Sequence, residues 1–174
     1  MTGDVLLAPL LAAAAILVLA GAAKLREPGP AVRFASTLGV PLPGVCVRLA
    51  AIAEIVVGVG ACFRPRPAAL AVALLFSLFT VLAARQLRRG DGLPCGCLGA
   101  REVVPSRFHL WLNGTCACVG FVAALAPPPA FVTYAAAQPL SAVVVGLAAV
   151  GVALLCQAGL VYAPTLGAWQ GGRA

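Results

Sequence analysis

The sequence predicts an all-α integral membrane protein, and three observations predict it. Of its 174 residues, 62% are hydrophobic and 10% charged, against about 25% charged in an ordinary soluble domain, and the mean hydropathy is +1.04. The apolar residues gather into five runs near the roughly 20 residues that a helix needs to cross hydrocarbon. Charges and prolines collect at the ends of those runs. Helices are expected rather than isolated strands, because in lipid every backbone amide must be bonded within its own segment.

The first run, Val5 to Ala23, carries no charge and stops at Lys24-Leu25-Arg26-Glu27-Pro28. Ala20-Gly21-Ala22 has the small residues of a signal-cleavage site, but Asp4 precedes the run and the basic cluster follows it, the reverse of a secretory leader. A retained span is therefore expected. The second run, Val45 to Phe63, is interrupted by Arg48 and Glu54. The third, Ala68 to Ala84, is short and ends at Arg85. The fourth, Phe108 to Ala126, follows Ser106, a good N-cap residue, and is closed by Pro127-Pro128-Pro129. A Pro/Ala-rich loop over 127–139 leads to the fifth run, Leu140 to about Tyr162, and a short tail. No long soluble domain, fixed-period repeat or nucleic-acid module is present, so the +7 net charge is read as membrane orientation and contact with lipid head groups.

Basic residues mark the cytoplasmic ends of spans. With five spans and the N-terminus outside, Lys24, Arg26, Arg33, Arg85, Arg88, Arg89, Arg101, Arg107 and Arg173 fall inside, and only Arg64 and Arg66 outside. That bias places the link between the third and fourth runs, with Cys95 and Cys97, on the cytoplasmic side.

This link reads GDGLPCGCLG over residues 90–99. In extended backbone, positions i and i+2 share a face, and a turn at Gly96 brings two such Cα atoms into the disulfide range of about 4.4–6.8 Å. The ring so closed is small and strained, and strained, exposed disulfides are the labile, catalytic ones. Pro94 stiffens the approach and Gly99 adds a flexible point. Neighbouring arginines favour the thiolate. Two incidental small residues in a turn is the alternative. A metal reading meets an obstacle: Cys116 and Cys118 lie about 200° apart on a helix and cannot both face one ion. A site using Cys95, Cys97 and one of that later pair stays open. Cys46, Cys62 and Cys156 sit in apolar runs, where cysteine acts as a small hydrophobe. His109, at the head of the fourth run, is read as an interfacial residue.

Glu54 lies near the middle of the second run, where an ionised carboxylate needs a partner inside the bundle. It is the candidate polar residue within lipid, as a functional group or as a protonated carboxyl bonded to a neighbouring helix. Arg48, six positions earlier, is about 240° away around the helix, so it is expected to snorkel to the head groups. Cys116, Gly120 and Ala124 form a small-residue strip for close helix contact. Asn113, Thr115 and Gln157 are candidates for interhelical hydrogen bonds.

GAAKLREP (21–28), LGVPLP (38–43), AEIVVG (53–58), RRGDGLPCGCLG (88–99) and LWLNG (110–114) together resemble the methylamine utilisation protein MauE family, membrane proteins related to the DoxX-like group. The likeness covers roughly residues 10 to 125. It implies a DoxX-like four-helix transmembrane bundle over 1–126 and a fifth transmembrane helix within 140–174. It further implies that the family's cysteine motif falls on Cys95 and Cys97, its glutamate on Glu54 and its lysine on Lys24. Leu98 departs from the family's commoner aromatic residue. The resemblance implies a role in maturing the disulfide-rich subunit of methylamine dehydrogenase beside a thioredoxin-like partner.

The leading expectation is thus a multi-pass cell-membrane protein, a thiol-disulfide accessory rather than a metabolic enzyme. Membrane lipids, a thioredoxin-like redox partner and an exported client are its expected partners, with no nucleic acid and no metal or other cofactor. An exported client is served most simply by cysteines outside, so the charge bias requires electrons or disulfides to pass across the bilayer. A small transporter or metal-handling permease built on Glu54, and a non-catalytic scaffold, are the other two readings.

Overall fold

A computed structural model describes the backbone of residues 2–89 and 106–171 and the side chains of 5–89 and 106–162. Among the described residues there is no strand. The helices are α1 (Thr2–Arg26), α2 (Gly29–Thr37), α3 (Gly44–Gly60), α4 (Pro65–Arg89), α5 (Arg107–Leu125), α6 (Phe131–Ala137) and α7 (Pro139–Gly171). Four contain stretches long and apolar enough to cross a membrane: Val5–Arg26, Pro65–Arg89, Arg107–Leu125 and Pro139–Tyr162. The chain is an all-α, multi-pass membrane protein. The second expected span corresponds to α3, whose 17 residues rise about 25 Å, at the short end of what hydrocarbon requires.

Proline and glycine set several boundaries. Pro65 and Pro139 open α4 and α7, where a missing N–H costs nothing. The α2 terminus explains the LGVPLP stretch. Gly39 takes φ +79°, its N–H donates to Ser36 O at 3.0 Å, and that of Val40 donates to Ala35 O at 3.1 Å. This is a Schellman ending, which asks for glycine at that point. Pro41 and Pro43 then lead into α3.

Two short helices differ from expectation. The segment 127–139, expected to be a loop, contains α6. Seven residues are too few to display a helical period, and tertiary contacts decide the matter: Phe131 and Tyr134 pack on the Leu7, Leu11 and Ala149 cluster, while Val132 N–H donates to Cys62 O at 3.3 Å. Helix α2 opens on Pro28-Gly29-Pro30, a turn-like string, with a proline in the first helical turn, where it is tolerated. Helix α4 also continues past Ala84 to Arg89, since arginine, glutamine and leucine are good helix formers whose long stems can reach the interface.

Helix α1 is the centre of the bundle. Leu7, Leu10 and Leu17 are among its fully buried side chains, and Ile16 and Leu17 share a cluster with Val72 and Phe76 of α4, Cys116 and Ala117 of α5 and Ala153 of α7. Small residues set the closest crossings. A Cβ on Gly58 of α3 would stand 2.7 Å from Ala14 O of α1, and one on Gly120 of α5 would stand 2.7 Å from Ala73 N of α4. The expected strip on α5 is therefore used at Gly120, beside buried Cys116. Among the described residues, Asn113, Thr115 and Gln157 form no side-chain bond to another helix.

Candidate functional site

The site grows from the antiparallel crossing of α1 and α3. Val47, Ala51, Glu54 and Gly58 are the buried residues of α3, and their spacing puts them on one stripe. That stripe meets Gly21, where an added Cβ would lie 2.7 Å from Ala51 O and 3.3 Å from Glu54 Cβ. One turn further along α1 is Lys24. Cα–Cβ bonds tilt toward a helix's N-terminus, so Lys24 leans back into the bundle while Glu54, on the antiparallel neighbour, leans toward it.

The two side chains meet. Lys24 Nζ donates to Glu54 Oε1 at 2.5 Å and to Oε2 at 2.8 Å. Residue exposures of 5% and 3% make this a buried, double-bonded ion pair. Phe79 of α4 completes the enclosure, with the ammonium 5.0 Å from its ring centroid. Glu54 thus has the bundle partner its position demands, Lys24 of the neighbouring helix. Arg48 is exposed, as expected of a snorkelling residue.

The pair lines an open cavity of about 260 Å³. Phe34 of α2 and Leu38, just past its end, line one side, Cys46 and Ala50 of α3 form a wall, and Leu82 of α4 stands beside Phe79. Arg89, the last residue of α4, donates from Nη1 to Thr37 O at 2.6 Å, tying the end of α4 to the end of α2 over this part of the molecule.

His109 is buried, 3% exposed, rather than interfacial. Its Nδ1 accepts the Ser106 backbone N–H at 3.1 Å and lies 3.1 Å from the Ser106 hydroxyl, so it helps satisfy the first turn of α5, where N–H groups lack helical partners. Cys116 is buried and Cys118 exposed, on opposite sides of α5 as their spacing requires. Among the described residues, no group of three or more His, Cys, Asp or Glu is arranged to hold a metal. Cys95, Gly96, Cys97 and Gly99 lie outside the described residues.

Sequence reasoning placed Lys24 by resemblance and Glu54 by its cost in lipid, and did not connect them. The available signal was Gly21, one turn before Lys24, together with the backward lean of helical side chains. Phe79, Cys46 and the α2 wall gave no local sign, because they join the site only through tertiary packing.

A family model described as methylamine utilisation protein MauE matches residues 3–126, a stretch that includes Lys24, Glu54, Cys95 and Cys97 and ends at α5. No curated protein and no solved structure matches the chain.

Proposed function

The chain belongs to the methylamine utilisation protein MauE family, and from that premise we propose that it is a membrane thiol-disulfide accessory, located in the cell membrane, that supports maturation of an exported enzyme subunit. Family membership supports an accessory role in methylamine utilisation; the thiol chemistry is our own reading. Cys95 and Cys97 cycle between dithiol and disulfide. The thiolate of one attacks a sulfur of a partner's disulfide, which breaks that S–S bond, forms a mixed disulfide and releases a partner thiolate. The second cysteine then attacks the mixed disulfide. Two electrons and two protons pass to the partner, now a dithiol, and the Cys95–Cys97 bond is left behind. A thioredoxin-like protein is the partner this exchange requires. Run in this direction, it leaves as a dithiol able to reduce or reshuffle the exported client's disulfides; run in reverse, from the Cys95–Cys97 disulfide, it leaves as a disulfide able to oxidise the client.

The observation that carries the reading is the cysteine pair's placement in the chain. It sits in a polar link whose flanks, Arg89 and Ser106, belong to the end of the bundle that encloses Lys24 and Glu54. Lys24 and Glu54 form a polar site at that same end of the bundle. The permease reading has no comparable support, since among the described residues only Cys46 shares a cavity with Glu54.

Trapping tests the proposal. Cys97→Ser alone should accumulate a mixed disulfide with a thioredoxin-like partner, and Cys95→Ser/Cys97→Ser should accumulate none and fail to mature the client. A folded double variant that matures the client at the full rate would discard the redox role.

A further inference from the structure

The cavity above the ion pair has a chemistry of its own. Its walls are apolar, from Phe34, Leu38, Val47, Ala50 and Leu82, and among the described residues its only charged lining groups are Lys24 and Glu54. An ammonium has three N–H donors and no acceptor. Two of them are engaged by the Glu54 oxygens, and the third has the face of Phe79, 5.0 Å away, a weak substitute for a hydrogen bond. The carboxylate oxygens retain lone pairs beyond those that Lys24 fills. The floor therefore offers a donor and acceptors side by side, at zero net charge, in an apolar recess beside membrane-spanning helices. Few convergent polar groups in an apolar pocket are what a small-ligand site looks like.

Charge complementarity narrows the occupant. An anionic lipid would have to compete with Glu54 for Lys24, and a cation with Lys24 for Glu54, each leaving a buried charge without its partner. A neutral ligand leaves the pair intact. A carbonyl can accept from Lys24, and a hydroxyl can donate to Glu54. We propose that the recess formed by α2, α3 and α4 over Lys24–Glu54 binds a neutral, lipid-dissolved ring compound of the quinone–quinol type, its oxygen on the ion pair and its apolar body along Leu38, Ala50 and Leu82. Both members of that couple are neutral and present one of the two groups the floor can meet. Binding here is independent of the thiol reading and requires neither Cys95 nor Cys97.

Cys46 supplies the readout, because it is exposed and lines the recess. Cys118, also exposed, lines a different recess with Arg107 and Trp111 and serves as the internal control. The purified full chain in nanodiscs is alkylated with N-ethylmaleimide, with and without a ubiquinone bearing a single isoprene unit, whose fully substituted ring does not itself alkylate thiols. Modification is followed at each cysteine by peptide mass spectrometry. At a quinone concentration ten times the dissociation constant, occupancy should slow Cys46 about tenfold and leave Cys118 unchanged, equally in Cys95→Ser/Cys97→Ser. The quinone should also raise the Tm of the wild-type chain and not that of Ala50→Phe, which fills the recess from an exposed wall position. No slowing at Cys46, equal slowing at Cys118, equal protection by a dimethoxy-methyl-prenylbenzene lacking the two carbonyl oxygens, or a Tm rise that persists in Ala50→Phe would each overturn the proposal.

Discussion

The α4–α5 and α1–α3 crossings are built with the same device and enclose different things. Between α4 and α5, Gly120 rests on the backbone of Ala69 and Ala73, with Ala117 and Ala123 buried nearby, and no charged residue is among the buried ones. Between α1 and α3, Gly21 and Gly58 bring the backbones just as close, yet a lysine and a glutamate are enclosed there. At Gly120 the close approach is made by small residues and van der Waals contact, with no ion pair beside it among the described residues. The ions at the other crossing are thus surplus to packing. Charges in the membrane interior are costly and tend to mark function, and the cavity opens beside the crossing that has them.

The largest expected effect separates the two crossings directly. Replacing one partner, as in Lys24→Met or Glu54→Leu, leaves a buried charge alone and should cost about 3–5 kcal/mol in reversible unfolding from mixed micelles. The double variant Lys24→Met/Glu54→Leu should regain most of that loss. Single losses below 1 kcal/mol, on the order of a surface pair, would mean that the two crossings do not differ as described.

Gly120→Ala and Gly21→Ala should each destabilise by about 1–3 kcal/mol, because the new methyl meets backbone that must shift. Double-mutant cycles sharpen the contrast. Gly21→Ala should couple to Glu54→Leu by about 0.5–3 kcal/mol, whereas Gly120→Ala, on another helix pair, should add to it within about 0.5 kcal/mol. Phe79→Leu removes the ring from the ammonium and should cost about 0.5–2 kcal/mol, an effect that disappears in a Lys24→Met background. The smallest effect is expected at Gly114, which has no neighbour within 4 Å. Gly114→Ala should stay within about 0.5 kcal/mol of neutral or gain slightly through helix propensity, read by the same unfolding assay.

Much of this was legible in the sequence because lipid imposes a simple rule. Long apolar runs must be helices, so α1, α4, α5 and α7 could be located to within a few residues at most ends, and the small-residue strip of Cys116, Gly120 and Ala124 on α5 followed from its spacing. Helices α2 and α6 were not legible, since each is too short for a period and exists through its contacts. The cost of Glu54 in lipid announced a buried polar centre. Its partner was hidden because Lys24 stands in a run of terminal charges, which reads as a head-group cluster until the backward lean of the side chain is considered. The cavity could not be foreseen at all, for it needs α2 folded against α3, and that contact is tertiary.

The most direct test is the pair of readings, folding and function, taken on Lys24→Met/Glu54→Leu in cells that depend on the matured client. The account predicts a stably folded, membrane-inserted chain in which the client stays immature, because the ions serve the site and not the packing. Full client maturation by that folded double variant would contradict it, and would leave the ion pair as one more way of joining two helices.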